Sequence, residues 1–287
     1  MKLMHCFRET GCTEAGEARE AKLPETPEQE AEREALSVSE DAYEETVSHV
    51  QKSFGPFIPE AQMERIEAER ENGKPELLSA EQYHTRFPEA SPAVLGHYDA
   101  EGKIWMKEGS PEVVHHVVTH EALHLSSFNE RVCDAGDRQV FRSGIRELTA
   151  DGGAVREDRN RALNEGITEL YTMRELQLRG EMTAYRSVSV YPEAQRKAYE
   201  LQGLVGSECI RRAYFGGELE ALQSEVVRLN GGDETAWERY SKNVDILEYG
   251  TEPEKVAAAR QELNAQQAAM WEFKDAEAAH SGGRRRA

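Results

Sequence analysis

Cysteine is scarce in this chain: its 287 residues include four, Cys6, Cys12, Cys133 and Cys209, with no CxxC spacing among them. So few, so placed, exclude a disulfide framework and read as free thiols. Cys6 and Cys12 with His5 match no compact zinc-knuckle spacing. Long apolar runs are also missing, and nothing approaches the roughly 18 residues that span a bilayer, so no transmembrane helix is expected. The opening MKLMHCFRETGC lacks the apolar stretch of a secretory leader. Positive charge is in deficit, with 35 Lys and Arg against 54 Asp and Glu, a net charge of −19 and a pI near 5.0. A surface of that sign repels phosphates, which excludes nucleic acid as a partner. The one basic cluster, Arg284-Arg285-Arg286, reads as a solvated tail. Together these absences place the chain in the cytoplasm, or in a non-classical export route, with no membrane partner.

What is present falls into three stretches. Residues 1–45 carry 13 acidic and 5 basic side chains and few large apolar groups, so they are expected to be disordered or loosely helical. Two helices are expected between Asp41 and Asn72, the second after Pro59. Val94 to Tyr98 and Lys103 to Met106, separated by a glycine-containing turn, predict a β-hairpin. Ser110 as N-cap and Pro111 at the first helical position then open a helix. Val113, Val114, Val117, Val118, Leu123 and Leu125 make that helix apolar nearly all round, and hence buried. Gln139 to Arg142 and Gly144 to Leu148, closed by Asp151-Gly-Gly153, predict short strands. A helix follows from about Ala162 to Arg179, stopped by Gly180. Residues 181–287 read as a helical C-terminal subdomain: Pro192 to Phe215 with Gly203 and Gly206 as weak points, Glu218 to Leu229, and two more, the last from near Pro253. The fold class is therefore α+β and helix-dominated.

The buried helix contains His120-Glu121-Ala122-Leu123-His124. Positions i and i+4 share a helix face, so both imidazoles can reach one ion about 2.0 to 2.1 Å away. Glu121, a quarter-turn off that face, can reach a water on the same ion without ligating it, as a general base must. The plainer alternative is a core helix whose histidines hydrogen-bond internally. A zinc site of this kind needs a third protein ligand and an open fourth position. On the later helix, Glu165 and Glu169 are again i and i+4; one carboxylate can bind metal while the other accepts the outer N–H of a ligating histidine. A solvated acidic face is the alternative for that pair.

HEALH followed by Asn164-Glu165-x-x-Thr168-Glu169 resembles the gluzincin zinc peptidases, the thermolysin-like group, with HExxH and then Asn-Glu-x-x-Ser-Asp on a second helix. The likeness covers about residues 94 to 180. It implies a zincin-like catalytic region over residues 46–180 that binds one Zn2+ per chain. His120, His124 and Glu165 match the metal ligands, Glu121 the general base, and Glu169 the carboxylate that orients a histidine. The hairpin is similar to the strands lining the substrate cleft in zincins. Thr168 and Glu169 replace Ser and Asp, and the link from Leu125 to Asn164 is longer than the family's. Glu130 competes for the third-ligand position, ten residues after His120 as in metzincins, but Ser127 stands where their turn glycine belongs.

The resemblance implies peptide-bond hydrolysis of a peptide or protein substrate, with Glu121 taking a proton from a zinc-polarised water and returning it to the leaving amine. No downstream histidine motif supplies an oxyanion donor. Tyr185, Arg186 and Tyr191 lie in the stretch after the second helix, and Tyr191, beside Pro192, is the residue assigned that role; covering the core edge is its alternative. His115 and His116 read as structural, although His116, one turn before His120, also extends the metal face. His97 in the hairpin is a candidate substrate contact. Two rival functions stand beside the peptidase: a catalytically degenerate metal-binding or interaction protein of the same fold, and a helical interaction protein without metal.

Overall fold

Glu, Ala and Arg, all good helix formers, dominate the chain from Pro27 onward. In the computed structural model, which describes residues 26–72, 74–88, 94–98, 103–133, 138–151, 154–180 and 191–284, the first helix, α1 (Pro27–Phe54), begins there and not at Asp41. Tyr43, Val47, Val50 and Phe54 recur at alternating spacings of four and three along α1, and all are buried. That apolar stripe, together with helix-forming residues upstream, carries the helix into the acidic stretch. A 3-10 turn leads to α2 (Glu60–Asn72). Residues 1–25, including Cys6 and Cys12, lie outside the described residues.

A short strand β1 (Glu76–Leu78) and α3 (Ala80–Arg86) precede the predicted hairpin, which forms as β2 (Gly96–Tyr98) and β3 (Ile104–Lys107). The three strands make a sheet in the order β1-β3-β2, with β1 parallel to β3 and β2 antiparallel to it. β2 is therefore an edge strand. Its Gly96 lies flush on the next helix, where an added Cβ would sit 2.6 Å from Val117.

That helix, α4 (Pro111–Ser126), starts where the sequence predicts, with Ser110 Oγ accepting the Val113 N–H and Pro111 in the first turn. α1 covers one side of α4 and β2 and β3 another, which explains its apolar circumference. Its last carbonyls, Leu125 O and the following Ser127 O, accept from Arg65 Nη2 of α2 at 2.7 and 3.0 Å.

The connection after α4 is a four-stranded antiparallel meander, β4 (Asn129–Cys133), β5 (Arg138–Ser143), β6 (Arg146–Asp151) and β7 (Ala154–Arg159), in sequential order. Two of these strands were legible; β4 and β7 were not, because exposed charged residues break their alternation. The meander delivers the chain to α5 (Arg161–Leu178). Asn160 and Asn164 fasten that entry: Asn160 Nδ2 donates to Ile145 O at 2.9 Å and Asn164 Oδ1 accepts from Ile145 N at 3.0 Å.

Among the described residues five helices follow: α6 (Pro192–Val205), α7 (Ser207–Gly216), α8 (Leu219–Leu229), α9 (Ala236–Tyr249) and α10 (Pro253–Arg284). The single helix expected from Pro192 to Phe215 breaks at Gly206, whose φ of 90° no helix accommodates. The N-termini of α5 and α6 are capped by another element: on α9, Asp245 accepts the Ala162 N–H at 2.7 Å and Glu248 the Ala194 N–H at 2.8 Å. Buried apolar residues from Ala42 to Met270 form one contiguous core. No helix among the described residues is long and apolar enough to cross a membrane. Cys209 is a free thiol, and burial pushes its acidity down, to a pKa of about 11.

Candidate metal centre

α4 and α5 pack side by side, and each contributes an i, i+4 pair to the face between them. The close approach of α6 to α5 depends on Gly166, where a Cβ would lie 2.3 Å from Ala194 O. That approach brings Tyr191, just before Pro192, over the pairs.

Three donor atoms meet in the resulting cleft. His120 Nε2 and His124 Nε2 are 3.1 Å apart, and Glu165 Oε2 lies 3.2 Å from the first and 3.1 Å from the second. A tetrahedral ion bound at about 2.0 to 2.1 Å has ligand atoms about 3.3 Å apart. The near-equilateral triangle therefore has the dimensions of one face of that tetrahedron. Among the described residues, these three form the group whose atoms could hold a metal together. Glu130 is not among them: it is exposed on β4, paired in register with Arg142.

Glu169, fully buried, fixes the ring that presents one of these atoms. Its Oε2 accepts from His120 Nδ1 at 3.2 Å, which turns Nε2 toward the triangle. The same oxygen accepts from His116 Nε2 at 3.1 Å. His116 thus stands behind Glu169 and not in the donor triangle, a role its spacing alone did not distinguish.

The charges suit a cation. Burial opposes an imidazolium at His120, but hydrogen bonds to Glu165 and Glu169 outweigh it and raise its pKa to about 10. Burial likewise opposes ionisation of Glu165, yet the His124 and His120 rings hold its carboxyl well below the usual range. Glu169 also overcomes burial, through His116 and His120, and titrates at about 2. Two buried carboxylates kept anionic beside an imidazole they hold protonated make this point favour positive charge, carried by a proton or by a cation that displaces it.

Glu121 differs. Burial raises its carboxyl above the ordinary value despite the opposing His120 and His124 rings, and the Tyr98 backbone N–H of β2 hydrogen-bonds it. A carboxylate of increased basicity, held beside the triangle, is suited to proton transfer. No family model matches this chain, and neither a curated protein nor a solved structure matches it. The resemblance to gluzincins accordingly rests on the order of the motifs in the sequence.

Tyr191 is half-buried, with its ring centroid 5.9 Å from that of His120 and the planes 27° apart. Burial, and then the Glu165 charge, push its phenol well above the ordinary tyrosine value, so it stays a hydrogen-bond donor. Tyr185 and Arg186 lie outside the described residues. His97 Nδ1 is bonded to Tyr83 Oη at 2.8 Å, and its ring meets Phe87 edge-on at 4.1 Å. Thr168 Oγ1 bonds the buried Tyr214 hydroxyl at 2.7 Å, a packing role that ties α5 to α7.

Several residues here had no local signal. Asp245 caps the ligand-bearing helix from 83 residues away, and Tyr249, one turn further along α9, senses the Glu165 charge. Neither belongs to a motif, and only the tertiary arrangement brings them to the cleft.

Proposed function

We propose that this chain is a zinc-dependent peptidase of gluzincin type, built on a zincin-like core of β2, β3, α4 and α5. The observation that carries the reading is the convergence of His120, His124 and Glu165 in a ligand-sized triangle, with Glu169 holding the outer nitrogen of His120. Bound there, zinc supplies a Lewis acid that polarises a carbonyl and acidifies water. Glu121 accepts the proton of the attacking water and returns it to the leaving amine. Tyr98 N–H orients the Glu121 carboxylate for both transfers. Tyr191 donates a hydrogen bond from its phenol O–H to the oxyanion that develops on the scissile carbonyl. β2 offers an extended peptide an edge strand beside the site, the usual way a cleft of this kind holds backbone.

Metal analysis of the purified full chain tests the first half of this reading; about one zinc per chain is expected, and its absence at stoichiometric level sinks the proposal. Digestion of an unbiased peptide mixture, read by mass spectrometry, tests the second. Glu121→Gln is expected to keep its zinc and lose about 10²- to 10⁴-fold in turnover. A zinc-loaded wild-type chain that cleaves nothing establishes the degenerate metal-binding alternative in its place.

A further inference from the structure

The peptidase reading leaves open what kind of peptide the cleft selects, and one side chain at its rim bears on that. Arg161 is the first residue of α5 and precedes Glu165 by four, so the two lie on one face with Cβ atoms roughly 5–6 Å apart. Its side chain is exposed, and its guanidinium sits 4.9 Å from the centre of the Tyr249 ring. Tyr249 is itself 40% exposed. The contact follows from the capping of α5: Asp245 and Tyr249 are i and i+4 on α9, and the first takes the Ala162 N–H while the second takes Arg161.

Arg161 is chemically uncommitted. Among the described residues it forms no ion pair and no hydrogen bond, only the contact with Tyr249. Its neighbour at this end of α5, Arg146, is held at both ends of its fork by Asp158, at 2.7 Å each. Asp245 feels the Arg161 charge, but its oxygen is engaged with the backbone of α5. Tyr191, whose ring lies against His120, and Tyr249 are both close enough to feel the Arg161 charge. A guanidinium stacked on an aromatic face is ordered yet keeps its N–H edge for a planar bidentate acceptor. In a chain of net charge −19, such a group marks a local exception to general repulsion of anions.

We propose that Arg161, steadied by Tyr249, is a specificity-determining residue that binds a carboxylate of the substrate within about two residues of the scissile bond, the distance its reach from the Glu165 turn allows. The carboxylate is either the C-terminal one or that of an Asp or Glu side chain. This rests on the peptidase reading.

The test uses the zinc-loaded full chain and peptide pairs that differ only in charge: free acid against C-terminal amide, and Glu against Gln at each position flanking the cleaved bond. One pair type is expected to favour the carboxylate member by about 10- to 100-fold in kcat/KM. Arg161→Gln, with its zinc content and circular dichroism checked, is expected to bring that ratio to about one, with Arg161→Lys intermediate because a point charge lacks the fork. The pair type that responds identifies which carboxylate is bound. Equal cleavage of both members by the wild type, or a preference that survives Arg161→Gln, overturns the inference alone. Failure of the zinc-loaded chain to cleave any peptide overturns the peptidase reading and this inference with it.

Discussion

Helix α5 buries carboxylates at both ends, and each end faces histidine. Near its start Glu165 and Glu169 meet His116, His120 and His124; near its end Glu175, 1% exposed, meets His49 of α1. The chemistry is alike and the arrangement is not. His49 spends both ring nitrogens, Nδ1 on Glu175 and Nε2 on the Ser53 hydroxyl at 2.7 Å, so no lone pair is turned toward an ion. His120 gives Nδ1 to a carboxylate that stands behind it, and its Nε2 meets Glu165 Oε2 and His124 Nε2 at one point. The candidate metal centre is thus distinguished by convergence, not by the presence of His and Glu.

Exchanging one residue at each end gives the largest contrast. Glu165→Ala is expected to lose stoichiometric zinc in metal analysis, whereas Glu175→Ala keeps it; equal zinc in both variants breaks the distinction. On the non-metal side, His49→Ala leaves the Glu175 carboxylate buried without its histidine and is expected to cost about 1–3 kcal/mol, read as a lower urea midpoint with zinc content unchanged.

Behind the triangle the effects become graded. Glu169→Ala is expected to weaken zinc binding by about 10- to 100-fold in a chelator competition, because His120 loses the partner that fixes its tautomer. His116→Leu acts one residue further back, on Glu169, and falls at or below the low end of that range.

The last contrast is one of pH and lies on the outer side of α4. Burial, and then the Arg179 and His116 charges, lower the pKa of His115 to about 4, and Arg179 Nη1 donates to its Nε2 at 3.1 Å. The unfolded chain, with a histidine pKa near about 6.5, then binds the proton more readily than the folded one. The contribution of neutral His115 is complete above pH of about 6.5 and is lost as pH falls toward 4. Unfolding of wild type and His115→Gln at matched zinc checks this: the stability difference between them should change with pH only inside that window.

How far the sequence could be read depended on the range of the interaction. α4 was legible to its cap because Ser110, Pro111 and the valine spacing act within one or two turns. Both i, i+4 pairs were legible for the same reason, since such positions share a face on any helix. The early start of α1 was missed because its apolar stripe draws a weakly patterned acidic segment into helix, and the break at Gly206 was legible only as a weak point. Strands β4 and β7 were missed because a half-exposed meander needs no strict alternation.

By itself the sequence determined that two helices each carry a pair of metal-competent side chains, that the first is buried, and that the surface is acidic. Those are local and compositional properties, fixed by helical geometry and side-chain chemistry. The tertiary structure decided that the two pairs face each other at ligand distance, that Glu165 and not Glu130 completes the triangle, and that α9 holds Arg161 and the α5 N-terminus from far along the chain. Contacts between residues dozens of positions apart depend on how whole helices pack, and no spacing within either segment encodes them.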